Sequence, residues 1–386
     1  MRDVAAVQAI AMIDLPSIER ARVLKAADAM LQEQPVTVTA SHSPRSAGGA
    51  HDFFSEGDYW WPDPANPGGP YIQRDGMTNP DNFVDHRRAM IRFSEHTATL
   101  TSAWLLTKEE GYAAKAMAHL RAWFVDEATK MSPHLLYAQA IKGRFTGRGT
   151  GIIDTIHLVE VARSAAVLAG SKAARADDIA TIKAWFTAYL QWLTTHAYGV
   201  TERDAKNNHG TCWVMQVAAF AQLTGDQSLL QDCRRRYREI LLPDQMAPDG
   251  SFPLEMKRTK PYGYSLFNLD AFATICQILS TPKEDLWDFT MPDGRSMKTA
   301  MAFLFPYLAD KSKWTLPKDV MYFDEWPVRQ PSLLFAGLAY KRQAYLDLWT
   351  RLNPAPTSEE VIRNLPVRHP LLWMGSMSAA GFLQPR

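Results

Sequence analysis

Cysteine is scarce. Cys212, Cys233 and Cys276 are the only three in 386 residues. They lie far apart with no CxxC pair, so no disulfide framework is available and they read as small buried hydrophobes. His209 and Cys212 are three apart, but no second His/Cys pair completes a zinc site. The sequence therefore calls for no metal and no cofactor. Long apolar runs are missing too: none approaches the ~20 residues that cross a bilayer, so no membrane partner is expected. The opening MRDVAAVQAIAMIDLPSIER carries Asp3 and no cleavage site, and does not read as a signal peptide. Nor does one charge dominate. With 42 Lys+Arg against 41 Asp+Glu the net charge is +1, whereas a nucleic-acid binder usually shows a basic excess or stripe. HExxH, GxSxG and EF-hand patterns are absent. The glycine-rich Gly143–Gly151 (GRFTGRGTG) lacks the lysine and spacing of a phosphate loop. It reads as a tight turn whose Arg144 and Arg148 face either an anionic ligand or solvent.

What is present is ordinary globular material, 46% hydrophobic and 22% charged, long enough for a large core. Aromatics are plentiful, with 12 Trp, 13 Tyr and 17 Phe. Many belong in a core, but flat aromatic faces also line sugar grooves. Helical periodicity dominates. It predicts helices at Ser17–Gln34, Asp81–Thr107, Glu109–Ala128, Ile152–Leu168, Ala174–Thr195, Thr211–Thr224, Ser228–Leu241, Tyr264–Leu279, Ser296–Leu308, Pro331–Tyr340, Gln343–Leu352 and Ser358–Asn364. Val36–Ala40 alternates and predicts a short strand or extended arm. Successive antiparallel helix pairs without a fixed repeat point to an all-α, (α/α) toroid rather than an open solenoid. The Pro-, Gly- and aromatic-rich stretch Ser41–Asn79 fits no helix and reads as a packed, partly mobile lid, or as an arm pinned to the core by its aromatics. The whole of 1–386 is read as one domain carrying that lid.

Two segments carry candidate chemistry. Asn207-Asn208-His209-Gly210-Thr211-Cys212-Trp213 sits where a polar loop enters an apolar helix, and amides plus an imidazole at a helix start converge well on an anion. Plain N-capping by Asn explains the same residues. Glu255 to Tyr264 places Lys257, Arg258 and Lys260 beside Tyr262 and Tyr264. Cations beside a tyrosine favour its ionised form; a solvated basic turn with two packing tyrosines is the plainer reading.

NNHGTCW and the Arg258…Tyr264 segment, with YAQAIKGRFTGRGTGIIDT and EGDYWWPDP upstream, resemble the alginate lyase superfamily, most closely polysaccharide lyase family 38, whose members act on alginate or glucuronan. The resemblance runs from about residue 41 to the end. It implies a toroid of six to seven helical hairpins, a long groove, and β-elimination without an essential metal. It implies that Asn208, with His209 beside it, neutralises a uronate carboxylate. Arg258 would support both carboxylate and tyrosine, and Tyr264 would be the catalytic hydroxyl, with Tyr262 as its rival. The partner implied is an acidic polysaccharide, the chain is expected to be a monomer, and family habit suggests a secreted or periplasmic bacterial enzyme.

The chemistry explains the residue types. Elimination from a 4-linked uronate removes the C5 proton and breaks C4–O4. Donors aimed at the enolate-like carboxylate supply most of the catalysis. In mannuronate and glucuronate the proton and leaving oxygen are reachable from one face, so a single tyrosine serves as base and acid. In guluronate they lie on opposite faces, and His209 becomes the second group. Tyr59, Trp60, Trp61, Gln139, Arg148 and Tyr262 are the candidate substrate contacts. Asp154 and His157 read as structural, and Asp324 either lines the groove or starts a helix. Two rivals stand beside the lyase: a glycoside hydrolase using two of Asp154, Glu255 and Asp324, and a non-catalytic uronan-binding protein.

Overall fold

A computed structural model describes residues 13–373, so most of the opening segment read above for a leader lies outside the described residues. Fifteen α-helices follow in chain order: α1 (Leu15–Met30), α2 (Asp85–Thr107), α3 (Glu110–Phe124), α4 (Leu158–Leu168), α5 (Ala176–Thr195), α6 (Ala197–Arg203), α7 (Asn208–Thr224), α8 (Gln227–Arg236), α9 (Leu242–Gln245), α10 (Pro253–Met256), α11 (Pro261–Leu279), α12 (Met297–Ala309), α13 (Pro331–Ala339), α14 (Gln343–Arg351) and α15 (Glu359–Arg363).

Periodicity finds the long helices but misplaces some starts. Pro261 and Asn208 open α11 and α7 three residues before the predicted positions, because proline at the first turn and an Asn207 cap start a helix ahead of its apolar run. The stretch predicted as one helix from Ile152 begins as a 3₁₀ segment, Gly149–Thr155, and the one ending at Leu241 gives way to a π turn, Tyr237–Leu241. The short α6 escapes prediction altogether. Val36–Ala40 is not a strand. Residues 38–40 form a 3₁₀ turn, because the Thr37 hydroxyl accepts from the Thr39 amide at 3.3 Å and offers the backbone a local alternative.

Helices α2, α4, α7, α11 and α13 pack one against the next, and α1, α3, α5, α8, α12 and α14 back them from outside. This is the layered architecture of an (α/α) toroid. Composition sorts the layers: α11 buries every residue except Gln277, as a helix apolar all round must, while α8 and α14 bury one stripe. One hydrophobic cluster runs from Leu15 to Trp373. The 3₁₀ turn Pro370–Trp373 packs on α1, α2 and α4, and Trp373 meets Phe335 of α13, so this turn links the first and last inner helices.

The 41–79 segment is less irregular than its composition suggests. Strand β1 (Phe54–Glu56) pairs in parallel with β4 (Tyr137–Ala140), and β2 (Trp60–Trp61) pairs antiparallel with β3 (Ile72–Gln73). Phe53 and Phe54 are fully buried. The segment is thus anchored at its base and carries an aromatic hairpin above the ring.

The buried carboxylate Glu160 of α4 is paired, as a buried charge must be. His369 Nδ1 lies 2.6 Å from Glu160 Oε2, both fully enclosed. Burial lowers the His369 pKa, but Glu160 and Glu95 outweigh it and raise it to about 9. A folded pKa above the ordinary ~6.5 means that the pair's stabilisation is complete below that value and lost as pH climbs through 9. His369→Ala should cost about 3–5 kcal/mol in urea unfolding at pH 6, because Glu160 loses its buried counter-charge. The deficit should shrink markedly by pH 10; a pH-independent deficit would count against the charged pair.

Candidate active site

The first turns of α7 and α11 face one cleft of about 660 Å³. At α7, the Asn207 side chain caps the helix by accepting from the His209 amide at 3.4 Å. Glu255 of α10 accepts both the Asn208 backbone N–H and its side-chain NH₂, each at 2.7 Å. A carboxylate only accepts, so this contact fixes the amide orientation: one Nδ2 hydrogen goes to Glu255, and the second hydrogen and Oδ1 remain. Burial raises the Glu255 pKa against the bonds from Asn208. His209 Nδ1 sits 2.5 Å from Glu202 Oε1 on α6, which leaves Nε2 for the cleft.

At α11, the Tyr264 hydroxyl donates to the Tyr59 hydroxyl at 2.8 Å. Arg258 holds Asp75 through two bonds of 2.6 and 3.1 Å and lays its guanidinium 4.6 Å from the Tyr264 ring centre. Tyr264 does not titrate low, as neighbouring cations alone would suggest. Burial and the nearby Tyr59 push its pKa well above the ordinary range, and Arg258 only partly opposes them. The neutral phenol is its resting form.

Tyr262 does not reach the cleft. Residues two apart on a helix point to different faces. Its hydroxyl donates to the Tyr307 carbonyl at 3.0 Å and its ring packs on Trp314 and Phe323. Between the two tyrosines, only Tyr264 meets the proposed chemistry. Trp61 is likewise turned aside, with Nε1 donating to the Met77 carbonyl at 2.8 Å and Arg74 over its ring. Trp60 does line the cleft, with the guanidiniums of Arg144 and Arg148 at 5.5 and 5.8 Å from its ring.

Gln139 and Arg148 form the opposite wall. Gly147 and Gly151 lie so close to Leu136, Tyr137 and Ala138 that a Cβ on either would clash with backbone, which brings the 147–151 turn against β4. Arg148 then reaches the Gln139 carbonyl at 2.9 Å and its Oε1 at 3.0 Å. Gln139 holds φ +47°, a left-handed conformation that costs a non-glycine residue energy and often marks functional sites. Asp154 and His157 are buried: Asp154 accepts from Ser55 and Gln139, and His157 faces the Arg363 carbonyl at 3.0 Å. Asp324 is exposed on the 3₁₀ turn Phe323–Glu325, outside the cleft. Among the described residues no group of three or more His, Cys, Asp or Glu is arranged to hold a metal.

With this geometry in place, the comparisons are specific. The alginate lyase family profile matches residues 37–314. The chain belongs to the alginate lyase family. It is a polysaccharide lyase. An alginate lyase from Bacteroides ovatus is 33% identical with a TM-score of 0.81, over 93% of each chain. The fold alone is shared with alginate lyase A1-III from a Sphingomonas species, at 15% identity and TM-score 0.54 over 92% of this chain and 95% of that one. A histidine variant of A1-III complexed with a tetrasaccharide gives 15% and 0.57 over 94% and 96%. No curated protein matches the chain significantly.

The lyase also contains groups that sequence reasoning passed over. Glu202 and Asp75, partners of His209 and Arg258, lie in segments with no motif of their own. Arg87 of α2 grips Asp58 at 2.7 and 2.9 Å, Arg363 of α15 meets Asp58 at 3.0 Å and Glu360 at 3.1 Å, and Lys260 meets Glu360 at 2.6 Å. Lys260 and Arg363 both aim at the Tyr59 hydroxyl, at 3.3 and 3.5 Å. Burial raises the Asp58 pKa, but Arg363 and Arg87 reverse this and hold it at about 2. Asp58→Asn should leave two buried arginines short of charge and cost about 3–5 kcal/mol in chemical denaturation at neutral pH. A loss under 1 kcal/mol would show the pair to be dispensable.

Proposed function

We propose that this lyase cleaves alginate, at mannuronate-rich stretches, or the related polymer glucuronan, giving a C4=C5 unsaturated uronate. The observation that carries the reading is the convergence of Asn208, His209, Arg258 and Tyr264, brought from two helix starts and their flanking turns, on one cleft. The relatives' names point to alginate. Glucuronate differs from mannuronate only at C2, away from the reacting bonds, so this catalytic set serves both.

The roles follow from the contacts. The remaining Asn208 amide hydrogen, His209 and the Arg258 guanidinium face the substrate carboxylate and stabilise the second negative charge as C5 loses its proton. Glu255 and Glu202 keep Asn208 and His209 oriented. Tyr264 exchanges protons with C5 and O4 on one face. Loss of one proton from the Tyr264–Tyr59 pair leaves a charge faced by Lys260 and Arg363 at Tyr59 and by Arg258 over Tyr264. With that first proton released to solvent, the Tyr264 phenolate takes the C5 proton, and the phenol so regenerated gives it to the departing O4 as the C4–O4 bond breaks. Elimination fits better than hydrolysis because the cleft carboxylates are engaged: Asp58 by Arg87 and Arg363, Asp75 by Arg258, and Glu202 by His209.

Polymannuronate, polyguluronate and glucuronan should be incubated separately while near-ultraviolet absorbance of the unsaturated product is followed. Absence of signal from all three would end the proposal. Tyr264→Phe should lower kcat by about 10²–10⁴ with an unchanged circular dichroism spectrum. Asn208→Ala should lose about 10²–10³. Because burial keeps Tyr264 protonated, kcat/KM of the parent should rise from pH 7 to 9; a flat profile would exclude tyrosine as the base.

A further inference from the structure

A second basic surface begins where the cleft ends. The chain turns back at Ile141–Phe145, with reciprocal backbone bonds of 2.8 and 3.0 Å and Gly143 at φ +75°. A Cβ at Gly143 would come within 2.8 Å of the Pro70 Cα, so the turn rests directly on the 41–79 segment. Two more bonds fasten it there: the Tyr71 amide donates to the Lys142 carbonyl at 3.1 Å, and Arg144 Nε donates to the Tyr71 carbonyl at 2.7 Å. The turn is therefore a fixed platform. Lys142, Arg144 and Phe145 are exposed on it, Phe145 at 56%. They border a hollow of about 450 Å³.

Most arginines of this protein are matched to carboxylates, and the cations here are not. No ion pair is found for Lys142, Arg144 or Arg148 among the described residues, while the hollow's one acid, Glu56, is already held by Arg45 at 2.5 and 2.6 Å. Trp60 joins the two regions. Its ring lines the cleft and is met both by Arg148, which lines the cleft, and by Arg144, which lines the hollow. The path from cleft to hollow thus runs Arg148, Trp60, Arg144, Lys142, with Phe145 as a flat apolar face at its end.

We infer that this platform is a distal binding site for the uronan chain beyond the residues being cleaved, with Arg144 and Lys142 pairing successive carboxylates and Phe145 packing on a sugar ring. The inference rests on the lyase reading for its substrate class. It goes further by assigning the enzyme a preference for long polymer over short oligosaccharides. A polyanion suits free, fixed cations at intervals, and continuity with the cleft at Trp60 favours the same polymer over an unrelated anionic partner.

The test compares the parent with Lys142→Ala/Arg144→Ala and with Phe145→Ala, on a long uronan that the parent cleaves and on a trisaccharide of the same sugar. For the double variant, KM on polymer should rise roughly tenfold, the worth of two exposed ion pairs, with kcat unchanged. Trisaccharide kinetics should stay within about twofold of the parent, and the salt dependence of polymer KM should weaken. Unchanged polymer KM, or equal losses on polymer and trisaccharide, would overturn the distal site. If the parent cleaves no uronan, the lyase reading fails by itself. Electrophoresis through alginate-containing gels then decides the platform: retardation of the parent that the double variant loses supports it, and equal mobility of the two overturns it.

Discussion

A buried chain of charges under the cleft does more than any other interaction to hold the site together. From Asp154 it passes to Arg87, Asp58, Arg363, Glu360 and Lys260, and ends on the Tyr59 hydroxyl beside Tyr264. Its members come from the 3₁₀ segment before α4, from α2, from the 41–79 segment, from α15 and from the turn before α11. Alternating signs make burial tolerable, since each ion keeps an opposite neighbour in a region of weak screening. Removing any one leaves others unmatched. Such a chain contributes little net stability over an apolar core, but it permits only one mutual arrangement of five segments. A site assembled from distant stretches of sequence requires that specificity.

The same chain explains the position of the 41–79 segment. Phe53 and Phe54 anchor its base through burial, and the short β1–β4 ladder fixes its direction. Asp58, Tyr59 and Asp75 then tie its upper part to cations on other elements. Asp75 bridges the segment to Arg258, so the guanidinium that stacks on Tyr264 is placed by the 41–79 segment as much as by its own turn. Phe53 and Phe54 pin the segment through their buried rings, as the arm reading expects, and beyond them Asp58, Tyr59, Trp60, Gln73 and Asp75 line the cleft.

Much of this was legible in the sequence, and what was not has a physical reason. Long inner helices announce themselves because an apolar repeat is a local property. Asn208, His209, Arg258 and Tyr264 stand out because helix starts concentrate polar groups within a few residues. Their partners do not. Glu202 sits on a seven-residue helix too short for periodicity to reveal, and Asp75 reaches Arg258 across 183 positions. Tyr262 was the avoidable error, since helical geometry already separates it from Tyr264 by about 200° once both belong to α11. Trp61 was beyond reach, because the antiparallel pairing of residues 60–61 with 72–73 that turns it from the cleft is set by folding of the loop.

The tyrosine shows why local charge alone misjudged the chemistry. Cations beside a phenol lower its pKa only where burial does not cost more, and at Tyr264 burial and Tyr59 win. That balance suits a group with two tasks in sequence. A phenol ionised in the empty cleft would repel the uronate carboxylate that must bind beside it, whereas one ionised only with substrate in place takes the C5 proton and hands it on to O4. Keeping Tyr264 neutral, while placing Lys260 and Arg363 at the other end of its hydrogen bond, stores stabilisation for the moment the pair gives up a proton. The near-zero net charge of the whole chain is consistent with this economy. Positive charge is matched ion by ion beneath the cleft and left unmatched along Arg148, Arg144 and Lys142, so an acidic polymer meets attraction along its path and a neutral hydroxyl at the bond to be broken.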